Sequence, residues 1–177
     1  IATNFGKIDL LLNNAGVGDL PGTIEEGDTK IWEKLVKVNL FGVLYGLKYA
    51  PRHMNDGGSI INTASQAAVT KLPGGEPYAA TKAAVISLTQ TAAIELGLRQ
   101  IRVNAVCPTY TYTPMTANNW EEEGLLVQTM SAMNKVATTD DMVGIFHFLA
   151  ANDSSLISGQ FFIVDGGWTA GLSYGAI

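Results

Sequence analysis

Four short apolar runs punctuate the chain: IDLLL at 8–12, SIINT at 59–63, IRVNAV at 101–106 and QFFIV at 160–164. Each is too short and too continuous to be an amphipathic helix, and longer stretches with helical spacing lie between them. That alternation is the signature of βα units, whose strands lie parallel in one sheet buried under helices on both faces. Helices are expected at about 28–53, 77–97 and 140–151, the last behind the capping residues Thr138, Thr139 and Asp140. No internal repeat, low-complexity segment or linker interrupts the pattern. The fold class is therefore α/β, a doubly wound parallel sheet formed by one domain over residues 1–177.

Charge narrows the partners. A net charge of −5 and a pI near 4.9 argue against nucleic acid or an anionic membrane, since both demand a basic footprint. No apolar run approaches the roughly 20 residues that a membrane span needs, so a soluble, cytoplasmic protein is expected. One cysteine, Cys107, leaves no internal disulfide, and two histidines leave no Cys/His metal cluster, so no metal is expected. The opening IATNFGKIDLLL has neither an initiator methionine nor the layout of a signal peptide, and reads as starting in mid-protein.

In sheets of this kind ligands bind beyond the carboxyl ends of the strands. The residues there are NNAG at 13–16, ASQAA at 64–68 and CPTYTYTPM at 107–115. A fourth stretch, PYAATK at 77–82, starts a helix with a proline in the first turn, where its fixed φ suits the helix and its missing N–H has no partner anyway. Tyr78 and Lys82 are then i and i+4 neighbours on one face. A cation beside a phenol favours phenolate and lowers its pKa, as does a helix N-terminus, so the pair suits acid–base chemistry.

Taken together, the chain resembles the short-chain dehydrogenase/reductase family. The matching residues are NNAG at 13–16, Asn39 in KVNL, Ser65 in INTAS, Tyr78 and Lys82 in YAATK, VNAVCP ending at Pro108 with Thr113 beyond it, and ISGQFFIVDGG. Their order and spacing agree with the family, from Ser65 to Tyr78 and on to Lys82. The resemblance implies a Rossmann-like fold and an NAD- or NADP-dependent oxidoreductase acting on a secondary alcohol or ketone. Tyr78 would be the general acid/base, Ser65 would orient the reacting oxygen, and Lys82 would lower the tyrosine pKa and hold the nicotinamide ribose. Asn39 would position a water that links Lys82 to solvent. Asn14, Gly16, Tyr78, Lys82, Thr111 and Thr113 would contact the cofactor, with Gly16 allowing close backbone approach. A catalytically silent scaffold or oligomerisation module that kept the fold is the alternative, against which the intact Asn39, Ser65, Tyr78 and Lys82 argue.

Two departures from the family pattern stand out. Pro108 is followed by Thr109 where the family has glycine, and a positive φ there would strain a threonine. The glycine-rich TGxxxGxG turn that receives the pyrophosphate does not occur in the 177 residues, nor does the residue that separates NAD from NADP. The resemblance thus implies the C-terminal part of the fold, N-terminally incomplete, with IDLLL as an uncovered apolar edge. Such a chain is expected to hold dinucleotide weakly by itself. The segment 109–135, with Tyr110, Tyr112, Met115, Trp120, Leu125, Leu126, Met130 and Met133, is the expected substrate lid, and its apolar character suits a hydrophobic substrate. The resemblance also implies a homo-oligomer, a dimer or tetramer, built through helices 28–53 and 77–97 and the C-terminal stretch from Phe161 to Ile177.

Overall fold

A computed structural model describes residues 2–19, 22–71 and 73–171. The four apolar runs form strands β1 (Ile8–Asn13), β2 (Met54–Thr63), β3 (Arg102–Pro108) and β4 (Phe161–Val164). They pair in parallel in the order β1-β2-β3-β4, so strands adjacent in sequence are adjacent in space. The helices are α1 (Ala2–Phe5), α2 (Thr29–Leu35), α3 (Gly42–Tyr49), α4 (Glu76–Leu96), α5 (Trp120–Met130) and α6 (Thr139–Ala150). Residues 172–177 of the expected C-terminal interface lie outside the described residues.

Each face of the sheet has its own core. Val43 of α3 and Val85 of α4 pack on Ala64, Ala105 and Cys107, and Ala92 of α4 packs on Ile60, Ile101 and Val103. On the opposite face Leu149 of α6 covers Ile61 and Val106. Arg102 reaches the carboxyl end of α6 and donates to the carbonyls of Leu149 and Ala151 and to Ser154 Oγ, and Ser59 Oγ also donates to the Leu149 carbonyl, so the carbonyls at this helix end are satisfied by side chains. At the front of α6, Thr138 and Asp141 close a reciprocal capping box. Strand β1 lies at the sheet edge as expected, with Leu10 and Leu12 exposed.

The expected helix at 28–53 is not one regular element. Asp28 caps α2, residues Val36–Phe41 form a π-helical turn, and α3 continues from it. The single extra residue per turn leaves no mark on apolar periodicity, and turns of this type concentrate at functional sites.

A buried polar chain ties this layer to the sheet. Asn13 Nδ2 donates to Asn62 Oδ1 at 2.8 Å, Asn62 Nδ2 donates to Thr89 Oγ1 at 2.9 Å, and Thr89 returns its hydroxyl to the Val85 carbonyl. Gly46 of α3 lies directly over Asn13, where an added Cβ would come within 2.2 Å of Oδ1. Gly46→Ala should therefore break the Asn13–Asn62 bond or push α3 off the sheet, and cost about 2 kcal/mol despite alanine's better helix propensity. Urea denaturation of the two proteins checks this, with an unchanged midpoint as the contrary result.

Candidate active site

The carboxyl ends of β1, β2 and β3 converge on the start of α4. Pro77 occupies the first turn of α4, as its geometry requires, and sets Tyr78 and Lys82 one helical turn apart. Lys82 is 4% exposed, and its Nζ lies 5.7 Å from the centre of the Tyr78 ring. Its ammonium donates to the carbonyl of Thr63, the last residue of β2, at 2.8 Å. The Thr63 hydroxyl donates in turn to Asn14 Oδ1 at 2.8 Å, so one strand end holds both Lys82 and the NNAG turn.

Ser65 follows two residues later in extended conformation and caps a short 3₁₀ turn by accepting from the Ala67 N–H. Its side chain lies near enough to the Tyr78 hydroxyl to favour the phenolate. Asn39 sits in the π-helical turn, fully buried, and both ends of its amide are bound: Oδ1 accepts from Val17 N–H at 2.8 Å and Nδ2 donates to Val17 carbonyl at 2.9 Å. A Cβ on Gly16 would lie 3.3 Å from Asn39 Oδ1 and 3.5 Å from Lys82 Nζ. Glycine at 16 thus lets the turn pack directly on these two groups, a use distinct from the backbone approach expected from the motif.

Electrostatics here differ from the sequence expectation in one respect. Burial raises the Tyr78 pKa, and the Ser65 side chain offsets part of the rise. Desolvation of the phenolate outweighs the favourable neighbours. Lys82 is pushed down to about 8, again chiefly by burial. Behind them, buried Cys107 is pushed up to about 11 by burial.

These shifts make stability depend on pH. Between about 8 and its ordinary value Lys82 is more protonated unfolded than folded, so stability rises with pH there. Cys107 has the opposite sense, since its folded pKa is raised, and it takes stability away from about pH 9 to 11. Between pH 8 and 9 the lysine acts nearly alone and should add about 1 kcal/mol. Lys82→Met should abolish that rise, which denaturant midpoints at pH 7, 8 and 9 would record; an equal rise in both proteins would assign it elsewhere.

The segment after β3 places the remaining candidates. Thr109 keeps the ladder to β4 through a bond from its N–H to the Val164 carbonyl. It is not among the described non-glycine residues with positive φ, which are Gln100 and Asn134, so the strain expected from replacing the family's glycine does not arise. The Thr111 hydroxyl donates to the Thr109 carbonyl, and Thr113 N–H donates to Thr116 Oγ1, which itself donates to the Thr111 carbonyl. Thr116 organises this loop and carries no motif that would single it out. Trp120 stacks on Tyr110 with centres 5.8 Å apart and meets Tyr112 edge-on at 4.3 Å. Leu125, Leu126 and Met133 are exposed, so they do not pack the segment onto the body. Among the described residues no group of acidic, histidine or cysteine side chains could hold a metal ion, and no helix is long and apolar enough to cross a membrane.

Residues 1–169 match the family described as enoyl-(acyl carrier protein) reductase. A short-chain dehydrogenase/reductase of Pyricularia oryzae is 38% identical over 175 residues, which cover 95% of this chain and 65% of the relative. The chain belongs to the short-chain dehydrogenase/reductase family. Another member, the mitochondrial borneol dehydrogenase of Lavandula x intermedia, is 39% identical over 168 residues, covering 93% of this chain and 64% of its own. Among solved short-chain dehydrogenase/reductase-like structures, a gluconate 5-dehydrogenase from Burkholderia cenocepacia in complex with NADP and tartrate superposes with a TM-score of 0.91. It is 30% identical, with 97% of this chain and 68% of that one covered. The chain thus spans just under two thirds of the length of these two curated relatives.

The strand ends carry polar groups of the kind that could hold part of the dinucleotide this family uses. Lys82 and Asn14 offer polar groups at adjoining strand ends, joined through Thr63.

Proposed function

We propose that this chain carries the catalytic part of an NAD- or NADP-dependent oxidoreductase that interconverts a hydrophobic secondary alcohol and its ketone. The observation that carries the reading is buried Lys82 one helical turn from Tyr78, its Nζ 5.7 Å from the ring centre, with Ser65 beside the phenol. Relatives named as alcohol and steroid dehydrogenases, and a structural neighbour holding NADP, support it. A silent scaffold would gain nothing from a buried lysine whose charge costs stability.

The nicotinamide, when bound, takes or supplies the hydride at the reacting carbon. Ser65 then holds the reacting oxygen by a hydrogen bond, which fixes the carbon's orientation. Tyr78 exchanges a proton with that same oxygen: it donates during ketone reduction and accepts during alcohol oxidation. Its ligand-free pKa, raised by burial, keeps the proton available for reduction. Lys82 stabilises the phenolate formed after donation. Asn14, Gly16, Thr111 and Thr113 are assigned to the cofactor side of the cleft.

Segment 109–135 is assigned as the lid over the substrate, with its exposed methionine and leucine side chains as an adaptable apolar lining. Met133→Ala or Trp120→Ala in the holoenzyme should raise KM for a hydrophobic ketone about tenfold and leave the dinucleotide Kd within about twofold, in line with loss of one apolar contact. Steady-state kinetics and fluorescence titration separate the two quantities, and equal effects on both would make the segment purely structural. The proposal extends to a homo-oligomer, supported by exposed Phe41, Leu44, Tyr45 and Tyr49 on the α3 layer and Ile94 on α4.

A further inference from the structure

Four buried side-chain polar atoms have no partner among the described residues. Trp32 Nε1 and Glu76 Oε2 belong to helices α2 and α4. The other two, Gln66 Nε2 and Thr109 Oγ1, follow the carboxyl ends of neighbouring strands β2 and β3. Gln66 is 4% exposed and Thr109 is 8% exposed.

Register brings these two residues to the same level. Thr63 pairs with Val106, the last pair of the β2–β3 ladder, and Ala64 N–H still bonds the Val106 carbonyl. Gln66 and Thr109 each come three residues beyond that pair. Gln66 directly follows Ser65, whose side chain lies beside the Tyr78 phenol. Val103, Ala105 and Cys107 all face the core under α4. Thr109 continues that two-residue period while its N–H remains in the ladder, so it belongs to the face of α4 that carries Tyr78 and Lys82.

An unmade hydrogen bond at a buried amide or hydroxyl is costly, and nothing in the packing of the described residues recovers it. The arrangement becomes favourable when a ligand brings an oxygen to this spot. Ser65 and Tyr78 already serve the oxygen on the reacting carbon, and the next residue along the chain offers the Gln66 N–H₂. We propose that Gln66 and Thr109 form a second polar anchor that binds an oxygen substituent on the carbon next to the reacting one. The substrates are then vicinal diols, hydroxyketones or diketones with an otherwise apolar frame. This inference rests on the oxidoreductase reading above and narrows its substrate class.

The test compares trans-cyclohexane-1,2-diol with cyclohexanol as substrates of the holoenzyme, together with Gln66→Leu and Thr109→Val. The wild-type enzyme should oxidise the diol with kcat/KM at least about tenfold above that for cyclohexanol. Each variant should lower the diol value by roughly thirtyfold and leave the cyclohexanol value within about threefold, because the mono-alcohol never used the anchor. The ligand-free variants should match or exceed the wild-type thermal midpoint, since neither group has an internal bond to lose. A midpoint lowered by more than about 5 °C, or equal losses on both probes, would make the two side chains structural and overturn the inference. Preference for cyclohexanol would overturn it while leaving the oxidoreductase reading in place. Oxidation of neither probe would overturn both.

Discussion

Tyr78→Phe in the holoenzyme is expected to lower kcat by about a thousandfold while leaving the fold and the dinucleotide Kd nearly unchanged. The magnitude follows from what a positioned general acid or base contributes, which is about 10²–10⁴-fold. The ring stays and keeps its place in the first turn of α4, so the Pro77 start and the core behind it are untouched. Only the hydroxyl beside Ser65 goes. Its loss raises no folding problem, because Ser65 Oγ keeps the hydrogen bond it accepts from Ala67 N–H. Steady-state rates with a hydrophobic ketone, together with circular dichroism, separate chemistry from folding. Activity within about tenfold of the parent would remove Tyr78 from the proton-transfer role.

Lys82→Met should lower kcat/KM by at least about a hundredfold, through two losses that one measurement of rate does not distinguish. The first is the positive charge that stabilises phenolate after the proton has left Tyr78. The second is the ammonium hydrogen bond to the Thr63 carbonyl, through which β2, Asn14 and the lysine are held together. Lys82→Arg keeps the charge but cannot fit a planar fork into the space beside Gly16 and Asn39, so it should be nearly as impaired. Full activity of Lys82→Arg would show that charge alone is needed there and that the packing around Gly16 is irrelevant to the reaction.

Much of the fold was legible because parallel strands are buried on both faces and read as continuous apolar runs. IDLLL, SIINT, IRVNAV and QFFIV sit within or against the observed strands for that reason. Pro77 announced α4 because proline is at home in a first helical turn, and the Tyr78–Lys82 spacing followed from it. The π-helical turn around Asn39 was not legible, since one additional residue in a turn does not disturb a pattern already mixed in polarity. The direction of the Tyr78 shift was not legible either. Spacing reveals the cation but not how much solvent the fold removes from the phenol, and the burial wins. Thr109 shows the same limit from the other side: a motif that uses glycine suggested a strained backbone, whereas continued pairing with β4 leaves the residue out of the positive-φ region. Thr63, Gln66 and Thr116 act through positions that only the register and the loop path define.

The pH dependence of alcohol oxidation tests the central claim most directly. In that direction Tyr78 must accept a proton, so kcat/KM rises with pH through the tyrosine's apparent pKa in the holoenzyme. With Lys82 replaced by methionine the phenolate loses its cation, and the residual activity should rise only at a pH about one unit or more higher. A rising limb at the same pH in both enzymes would contradict the account, because the titrating group would then be indifferent to the lysine that packs beside Tyr78.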